Sequence, residues 1–296
     1  MFANVFLAGC QKAGSTSLAE YLSRHPDCLL SHRKENAFFS KLEKLSDLSR
    51  YGRHFIPLPG QTPKVRVDAT TAYMPDVRVP GLLRGALGPD LKFIFILRAP
   101  AARAYSGYMH LYKRGQDRRD PEAVFGALRP DLAWAEQEEL GRLARAINAG
   151  EVSPHLYRSR YDNELWAFQY LANTAYRRHV ERFEGVFGAE RVLVLTFEQS
   201  LAAPAELAAT LGRFLDLDPS GFPEGLPHRN PTRLPVKPTL RNRLARIVKG
   251  RPNVVDVRPQ PALASPEIAA SLRDLFASET DYWSDRLGQD LRAQGW

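Results

Sequence analysis

Along the chain, short runs of consecutive apolar residues alternate with segments in which apolar residues recur every three or four positions. Apolar runs are typical of buried strands, and the longer spacing is typical of helices that pack on a core. This pattern predicts five strands, at residues 4–9, 28–30, 65–68, 92–97 and 191–197. The run KFIFIL at 92–97 is the longest apolar run and is expected to form the central strand.

Helical patterns follow most of these strands. The segment after the first strand places Leu18, Tyr21 and Leu22 at helical spacing and stops at Pro26. Further helices are predicted near residues 79–88, 100–114, 132–149, 162–187, 203–215 and 265–288. Two connecting segments show neither pattern and are predicted to be irregular, residues 51–63 and 115–131.

The alternation of strands and helices predicts an α/β fold with a central parallel sheet between two layers of helices. A chain of 296 residues without internal repeats suits one domain over residues 1–296. In such sheets, ligands bind at the carboxyl ends of the strands, beside the N-termini of helices. Residues that carry chemistry are therefore expected directly after strands.

The composition narrows the class of protein. Hydrophobic residues make up 44% of the chain and charged residues 25%, which is globular and excludes collagen-like or wholly disordered chains. No apolar run is long enough to span a bilayer, and the start of the chain lacks the pattern of a signal peptide or a membrane anchor. Cys10 and Cys28 are too few for a disulfide framework or a four-ligand zinc site. We therefore expect a cytoplasmic protein.

The net charge of +8 is concentrated in one stretch. Between His228 and Arg258 there are nine Lys or Arg residues and one acidic residue, whereas the rest of the chain is neutral. Six prolines between Pro219 and Pro238 predict that this stretch belongs to a long loop, over residues 219–260. It is either a solvated surface loop or a contact for a polyanion, and the charge alone leaves both readings open.

The loop between the first strand and the first helix has the composition of an anion site. It reads GCQKAGSTS over residues 9–17, with a lysine, two glycines and three consecutive hydroxyl residues. Amides at a helix N-terminus bind anions, and glycine lets the backbone approach them. The loop is not the nucleoside-triphosphate signature, because Lys12 precedes Gly14 instead of following it. The alternative is an ordinary helix start capped by Ser15 or Thr16.

A second candidate segment follows the central strand and reads LRAPAARAYS over residues 97–106. Arg98 ends the strand, and Ser106 follows eight residues later on the next helix. An arginine can hold a phosphate through two parallel hydrogen bonds, and a serine can donate a third. The alternative is that Arg98 forms a structural ion pair.

Together these segments resemble the sulfotransferases that use 3'-phosphoadenylyl sulfate (PAPS), and more closely their bacterial and heparan-sulfate-type branch. The motifs that carry the resemblance are KAGSTS (12–17), LRAPAARAYS (97–106), KENAFF (34–39), FGAERVLVLTFEQSLAAP (187–204) and the ending LFASETDYWSDRLGQDLRAQGW (275–296). The resemblance implies a P-loop-like fold and transfer of a sulfuryl group to a hydroxyl or an amine. The arginine-rich composition fits a GC-rich bacterial genome.

The resemblance also implies a donor site. Lys12 would stabilise the leaving 5'-phosphate oxygen, while Arg98 and Ser106 would hold the 3'-phosphate. The residues that would surround the phosphosulfate are Gln11, Lys12, Ala13, Gly14, Ser15, Thr16 and Ser17. A late basic loop often closes over the nucleotide in this family, and Lys249, Gly250 and Arg251, or else Arg241 and Arg243, are the candidates. PAPS would be the only cosubstrate, and no metal would be required.

The acceptor side is less defined. Asp68 is the first candidate for the general base, because DATTAY resembles the segment that carries a glutamate base in the heparan-sulfate-type enzymes, although Thr71 replaces a common proline. Glu35 and His32 are the second and third candidates, and Ala37 replaces the histidine of the family motif. Lys34, Glu35 and Tyr73 are predicted to contact a carbohydrate, lipid or small-molecule acceptor. Alternatively, Lys34 and Glu35 form only an exposed ion pair.

Two other functions remain possible from the residues alone. A P-loop kinase would use Asp68 to bind magnesium, but its lysine would follow the second glycine. A nucleic-acid-binding protein would use residues 228–258, which lack interleaved aromatic residues, so we expect no stable nucleic-acid partner.

Trp166 and Tyr170 lie four residues apart and are predicted to pack in the core instead of stacking on a ligand.

Overall fold

Five parallel strands form the sheet at the centre of the molecule. The computed structural model describes residues 1–154, 161–227 and 265–296. The strands are β1 (Val5–Gly9), β2 (Cys28–Leu30), β3 (Val65–Asp68), β4 (Lys92–Leu97) and β5 (Val192–Thr196). Their order in the sheet is β2-β3-β1-β4-β5, and every pair is parallel. All five predicted strands are confirmed, to within one residue at each end.

The order of the strands creates a crevice beside β1. This strand pairs with β3 on one side, where Val5 is opposite Val67, and with β4 on the other, where Val5 is opposite Lys92. The chain leaves β1 and β4 towards opposite sides of the sheet, and ligands bind at such a switch point in parallel sheets. The loops that follow β1, β3 and β4 therefore meet at one edge.

Helices cover both faces of the sheet. Within the described residues they are α1 (Ser15–Ser23), α2 (Leu48–Gly52), α3 (Val79–Leu87), α4 (Pro100–Tyr112), α5 (Pro121–Phe125), α6 (Leu132–Asn148), α7 (Tyr176–Phe187), α8 (Phe197–Ala202), α9 (Pro204–Leu215), α10 (Pro266–Leu275) and α11 (Ala277–Leu287). Short 3₁₀ turns include Leu42–Ser46, Thr71–Tyr73, Trp166–Phe168 and Ala172–Thr174. No helix in the described ranges is both long and apolar enough to cross a membrane.

Side chains alternate between two apolar layers, one on each face of the sheet. On one face, Phe6, Phe93 and Phe95 pack with residues of α3, α7 and α11. On the other, Leu7 and Ile94 pack with residues of α1 and α9. Because both faces of β1 and β4 are buried, these strands are apolar at nearly every position. The predicted three-layer α/β fold is confirmed.

A third apolar cluster lies among the helices beyond the sheet. It joins α4, α5, α6 and α10 through buried side chains that include Tyr108, Phe125, Leu143, Tyr170 and Leu272. Trp166 and Tyr170 both belong to this cluster, which confirms that they pack in the core. The cluster supports the start of α4, the helix that begins directly after β4.

Three helix predictions need correction. The segment 162–187 is α-helical only from Tyr176. Before it lie the two 3₁₀ turns Trp166–Phe168 and Ala172–Thr174, and Glu139 accepts from the amides of Leu171 and Ala172. The segment 265–288 is two helices separated at Phe276, so that α10 joins the third cluster while Trp283 of α11 packs on the sheet. The irregular segment 115–131 contains the short helix α5.

Candidate active site

The loop after β1 is held in an open, strained curve in front of α1. The amide of Cys10 donates to the carbonyl of Ile96 on β4 at 2.9 Å. Lys12 has a φ of 70°, and Gly14, which precedes α1, has a φ of 91°. A Cβ atom at Gly14 would overlap the ring of Phe197, so the space beside it and its dihedral both favour glycine.

The start of α1 leaves amides for a ligand. Gly14 has no side chain to cap α1, and the first turn of α1 contains no acidic residue. The predicted alternative, in which Ser15 or Thr16 is the cap, is therefore wrong, because both lie inside the helix. Ser15 and Ser17 are buried, whereas Thr16 is exposed. The first turn of a helix carries unpaired amides and a partial positive charge, which together attract an anion.

Lys12 projects into a region of positive charge. Burial and the nearby charges of Arg114, Arg98, Lys113 and Arg103, in that order, lower the pKa of its ammonium to about 8. In the described part of the chain, the ammonium forms no ion pair with a carboxylate. A concentration of unpaired cationic groups at the end of a parallel sheet is suited to a ligand with several negative charges.

Arg98 lies against the same loop. Its Nη1 donates to the carbonyl of Lys12 at 3.4 Å, and its guanidinium lies over the ring of Phe197 at 5.8 Å from the centroid. The hydroxyl of Tyr176 donates to the carbonyl of Arg98 at 2.9 Å. The remaining guanidinium donors can bind a phosphate. Arg98 pairs with no carboxylate among the described residues, so the alternative of a structural ion pair is not observed.

Ser106 lies on α4, two turns after Arg98, and is partly exposed. The structure therefore places both residues on the segment that leaves β4, and Arg98 contacts the loop of Lys12. The late basic candidates Lys249, Gly250 and Arg251, like Arg241 and Arg243, lie outside the described residues.

Arg103 is a site residue that the sequence analysis missed. Only 1% of its surface is exposed, and its guanidinium donates three hydrogen bonds. Nε donates to the carbonyl of Gln11 at 3.1 Å, and Nη1 donates to the carbonyl of Tyr170 at 2.8 Å and to Oγ1 of Thr174 at 2.9 Å. Arg103 thus fixes the loop of Lys12 to the helical cluster. The available signal was its position on α4, one turn before Ser106 on a largely apolar helix.

Glu198 links the donor side to the end of the chain. Its Oε1 accepts from the amide of Ala99 at 3.2 Å, and its Oε2 accepts from Nε1 of Trp296 at 3.2 Å. The ring of Trp296 also contacts that of Tyr176, with 6.2 Å between centroids. These contacts hold the backbone at the start of α4 in place.

Asp68 ends β3, but its carboxylate is enclosed. Its exposed fraction is 0%, and both oxygens accept hydrogen bonds. Oδ1 accepts from Asn36 at 2.9 Å and Thr70 at 2.7 Å, while Oδ2 accepts from Tyr51 at 2.9 Å and Tyr73 at 3.2 Å. Burial raises the pKa of Asp68, and these hydrogen bonds oppose the rise. The arrangement gives no support to Asp68 as a base that contacts an acceptor.

Tyr73 shares this enclosure, because it too is 0% exposed. Its hydroxyl accepts from the amide of Phe39 at 3.3 Å as well as bonding to Asp68. The predicted contact of Tyr73 with an acceptor therefore lacks an accessible surface. The group formed by Asn36, Tyr51, Asp68 and Tyr73 instead ties the loop of Glu35 to the end of β3.

Glu35 is the carboxylate that remains accessible at this edge. Its amide donates to the carbonyl of Ala69, the residue after β3, at 2.9 Å. Its Oε1 accepts from Lys34 at 2.8 Å and from Oγ1 of Thr71 at 2.9 Å, and its Oε2 accepts from the amide of Thr71 at 3.0 Å. The side chain is 28% exposed. Lys34 and Glu35 do pair, but the pair is half-buried and fixed at the end of the sheet.

His32 precedes Glu35 on the same loop and is exposed. The centroid of its ring lies 5.3 Å from that of His54. Its nearest aromatic partner is thus on the segment after α2, not at the end of β1. The structure does not bring His32 into contact with Glu35 or Lys12 in the described part of the chain.

A cavity of about 350 Å³ opens beside the 3₁₀ turn that contains Thr71. Its lining includes Ser40, Ala72, Arg78, Asp162 and Trp166. The hydroxyl of Ser40 and Nε1 of Trp166 are buried and have no hydrogen-bond partner within the described residues. The polar side chains in this lining, which include Arg78 and Asp162, are suited to a polar ligand such as an alcohol or a sugar.

The family model described as "Sulfotransferase domain" matches residues 3–230, which is most of the chain. The chain belongs to the sulfotransferase domain family. It is therefore an enzyme of the sulfotransferase class, as the motifs predicted. Members of this family use PAPS as the donor. The match weighs against the kinase and nucleic-acid-binding alternatives.

Among curated proteins, this sulfotransferase is similar to "Bifunctional heparan sulfate N-deacetylase/N-sulfotransferase 1" of Mus musculus, with 28% identity over 222 residues. The proteins of the same name from Xenopus tropicalis and Homo sapiens are also 28% identical. Each match covers 72% of this chain but 22% of the relative. The chain therefore spans about a fifth of the length of these relatives.

Among solved structures, "Crystal Structure of Sulfotransferase from Alicyclobacillus acidocaldarius" matches with a TM-score of 0.65 and 22% identity. The match covers 99% of this chain and 98% of the other. This likeness independently confirms the sulfotransferase fold.

Proposed function

We propose that this enzyme transfers the sulfuryl group of PAPS to a hydroxyl or amine of a carbohydrate or another small molecule. The observation that carries the proposal is the joining of three cationic elements at one edge of the sheet. They are the uncapped start of α1, the ammonium of Lys12, and the guanidinium of Arg98, which donates to the carbonyl of Lys12 at 3.4 Å. PAPS carries phosphate and sulfate groups that match these elements.

The residues present fit the donor in this way. The amides of Ser15, Thr16 and Ser17 lie at the open start of α1 and would bind the phosphosulfate. Arg98 and Ser106, on the segment that leaves β4, would bind the 3'-phosphate. Arg103 holds the carbonyl of Gln11 and so fixes the loop that carries Lys12.

Lys12 would act on the leaving group. In the reaction, the bond from sulfur to the 5'-phosphate oxygen breaks, a bond from sulfur to the acceptor oxygen or nitrogen forms, and 3',5'-ADP is released. By analogy with phosphoryl transfer, positioning and charge stabilisation contribute most to such a reaction. The ammonium of Lys12 would lie close to the oxygen on which negative charge develops.

Glu35 is the base that the structure favours. It is half-exposed, it lies at the carboxyl end of β3, and Thr71 and Lys34 fix its carboxylate. It can therefore take the proton of an acceptor placed beside it. Asp68, enclosed by four donors, would instead hold the loop of Glu35 in position through Asn36. The cavity lined by Ser40 and Ala72, which adjoins Thr71, would bind the acceptor.

Two broader proposals accompany this function. We infer that residues 1–296 form one sulfotransferase domain, which the 99% coverage of the chain by the solved neighbour supports. We also propose a cytoplasmic location, because Cys10 and Cys28 are both free thiols.

The proposal is tested by incubating the protein with PAPS that carries ³⁵S-sulfate and with a sugar, an amino sugar or a phenol. We expect label on at least one acceptor, together with equimolar 3',5'-ADP. Magnesium and ATP in place of PAPS should give no transfer product. Transfer of phosphate from Mg-ATP would contradict the proposal.

A further inference from the structure

A second cavity, of about 300 Å³, lies beside the loop of Glu35. We call it the basic pocket. Its lining includes Arg33, Asn36, Lys44, Arg50, Arg53 and His54. No carboxylate belongs to this lining within the described residues. Four side chains with permanent positive charge thus face one small space.

The charge of the basic pocket is largely uncompensated. Arg33, Arg50 and Arg53 have no carboxylate within ion-pair distance in the described ranges. Asp47 interacts electrostatically with Arg53, but it does not line the pocket. Elsewhere, arginines such as Arg78 lie in direct contact with a carboxylate. Like charges held together are unfavourable, and a bound anion would offset that repulsion.

His54 adds a neutral polar group to the same lining. Burial lowers the pKa of its imidazole, and the charges of His32, Arg33 and Lys44 lower that pKa further. Its Nδ1 is buried and has no hydrogen-bond partner within the described residues. A buried polar atom without a hydrogen-bond partner is uncommon in folded proteins.

The basic pocket adjoins the loop that carries the proposed base, Glu35. Asn36, which lines it, directly follows Glu35 and donates to Asp68 at 2.9 Å. Nζ of Lys44 donates to the carbonyl of Ala37 at 3.3 Å. An anion held in the pocket would therefore lie beside the loop that positions Glu35.

We propose that the basic pocket binds an anionic group of the acceptor, a sulfate, phosphate or carboxylate, and so selects acceptors that already carry negative charge. This inference rests on the proposed function, because it assigns the loop of Glu35 to the acceptor side. Charge-assisted hydrogen bonds from arginine supply both affinity and orientation, so the anion would direct a neighbouring hydroxyl or amine towards Glu35.

The test compares glucosamine 6-sulfate and glucosamine 6-phosphate with glucosamine, by calorimetric titration of the protein saturated with 3',5'-ADP. We expect at least about tenfold tighter binding of each anionic sugar, which matches one charge-assisted hydrogen bond. The preference should weaken at high salt. Arg50→Gln combined with Arg53→Gln should reduce it to within about twofold of the neutral sugar. Both arginines are exposed, so the fold should persist, and Arg33→Gln offers a second variant.

Arg273→Gln is the control for a single Arg→Gln change such as Arg33→Gln, because this exposed arginine of α10 does not line the pocket and its loss removes one positive charge. Equal binding of the three sugars, or an unchanged preference in the double variant, would overturn the inference. Inorganic sulfate that binds as tightly as glucosamine 6-sulfate would also overturn it, since the site would then hold free anions. Failure to bind 3',5'-ADP would instead count against the proposed function.

Discussion

The proposed donor and acceptor sides of the active site are built differently. The donor side comes from two continuous segments, 9–17 and 97–106, which leave the neighbouring strands β1 and β4. The acceptor side is assembled from distant parts of the chain, since Glu35 contacts Thr71 and the adjoining cavity also includes Asp162 and Trp166. Phosphate groups are recognised by local backbone geometry, whereas an acceptor is recognised by a surface that only the complete fold creates.

This difference predicts separable effects of mutation. Changes on the donor side should alter nucleotide binding or the departure of the leaving group. Changes on the acceptor side should leave nucleotide binding intact. The substitutions below test that separation in decreasing order of expected effect.

Glu35→Gln should lower kcat by roughly 10²–10⁴-fold, the usual contribution of a general base. The amide keeps the size of the side chain but cannot take a proton. Calorimetry should show unchanged affinity for 3',5'-ADP. Glu43→Gln, at a side chain that is 69% exposed, is the control and should retain full activity. Normal turnover by Glu35→Gln would mean that another group accepts the proton.

Lys12→Ala should lower kcat by about 10²–10³-fold, the effect of removing one donor that stabilises developing charge. Single-turnover measurements with saturating PAPS report this step directly. The comparison is Lys64→Ala, which removes a lysine that is 66% exposed at the other end of β3. If both variants kept wild-type rates, the assignment of Lys12 to the leaving group would be incorrect.

Arg98→Ala should weaken the binding of 3',5'-ADP by roughly 10- to 100-fold, the range for a hydrogen bond to a charged group. The binding of 5'-AMP should change far less, because it lacks the 3'-phosphate. Arg292→Ala removes an exposed arginine and should change neither affinity. Equal losses for the two nucleotides would show that Arg98 does not recognise the 3'-phosphate.

Asp68→Asn should lower the free energy of unfolding by about 1–3 kcal/mol, because one buried oxygen becomes a donor that faces other donors. Chemical denaturation measures this loss. At a temperature where the variant is folded, its affinity for 3',5'-ADP should be normal. A stable variant with strongly reduced kcat would restore Asp68 as a candidate base.

The smallest expected effect is the dependence of kcat/KM on pH. Lys12 must be charged to act, and its pKa is lowered to about 8, chiefly by burial. Since a lysine loses its proton as the pH rises through its pKa, kcat/KM should fall about tenfold per pH unit above pH 8. Lys12→Arg should shift this limb to higher pH. A limb that is unchanged in Lys12→Arg would belong to another group.

The same contrast explains how much the sequence could predict. The sheet was predictable, because β1 and β4 are buried on both faces and are apolar at nearly every position. The positions of Lys12, Gly14 and Arg98 at the carboxyl edge of the sheet were predictable, because each belongs to the segment that leaves a strand. By contrast, Glu35 ranked below Asp68, because burial and the four donors around Asp68 depend on residues far away in the chain.

The helix prediction over residues 162–187 was partly wrong for a related reason. The segment before Tyr176 is irregular because Glu139, more than 30 residues away, accepts from the amides of Leu171 and Ala172. Arg103 was missed because its partners, Gln11, Tyr170 and Thr174, meet only in the folded molecule. Periodicity reports burial, but it does not report which distant side chain completes a hydrogen bond.

Calorimetric titration of the unmodified protein with 3',5'-ADP, 5'-AMP and Mg-ATP tests the assignment of the donor site most directly. The geometry of Lys12, Arg98 and the start of α1 predicts a strong preference for 3',5'-ADP without magnesium. A preference for Mg-ATP, or equal affinity for 3',5'-ADP and 5'-AMP, would contradict that assignment.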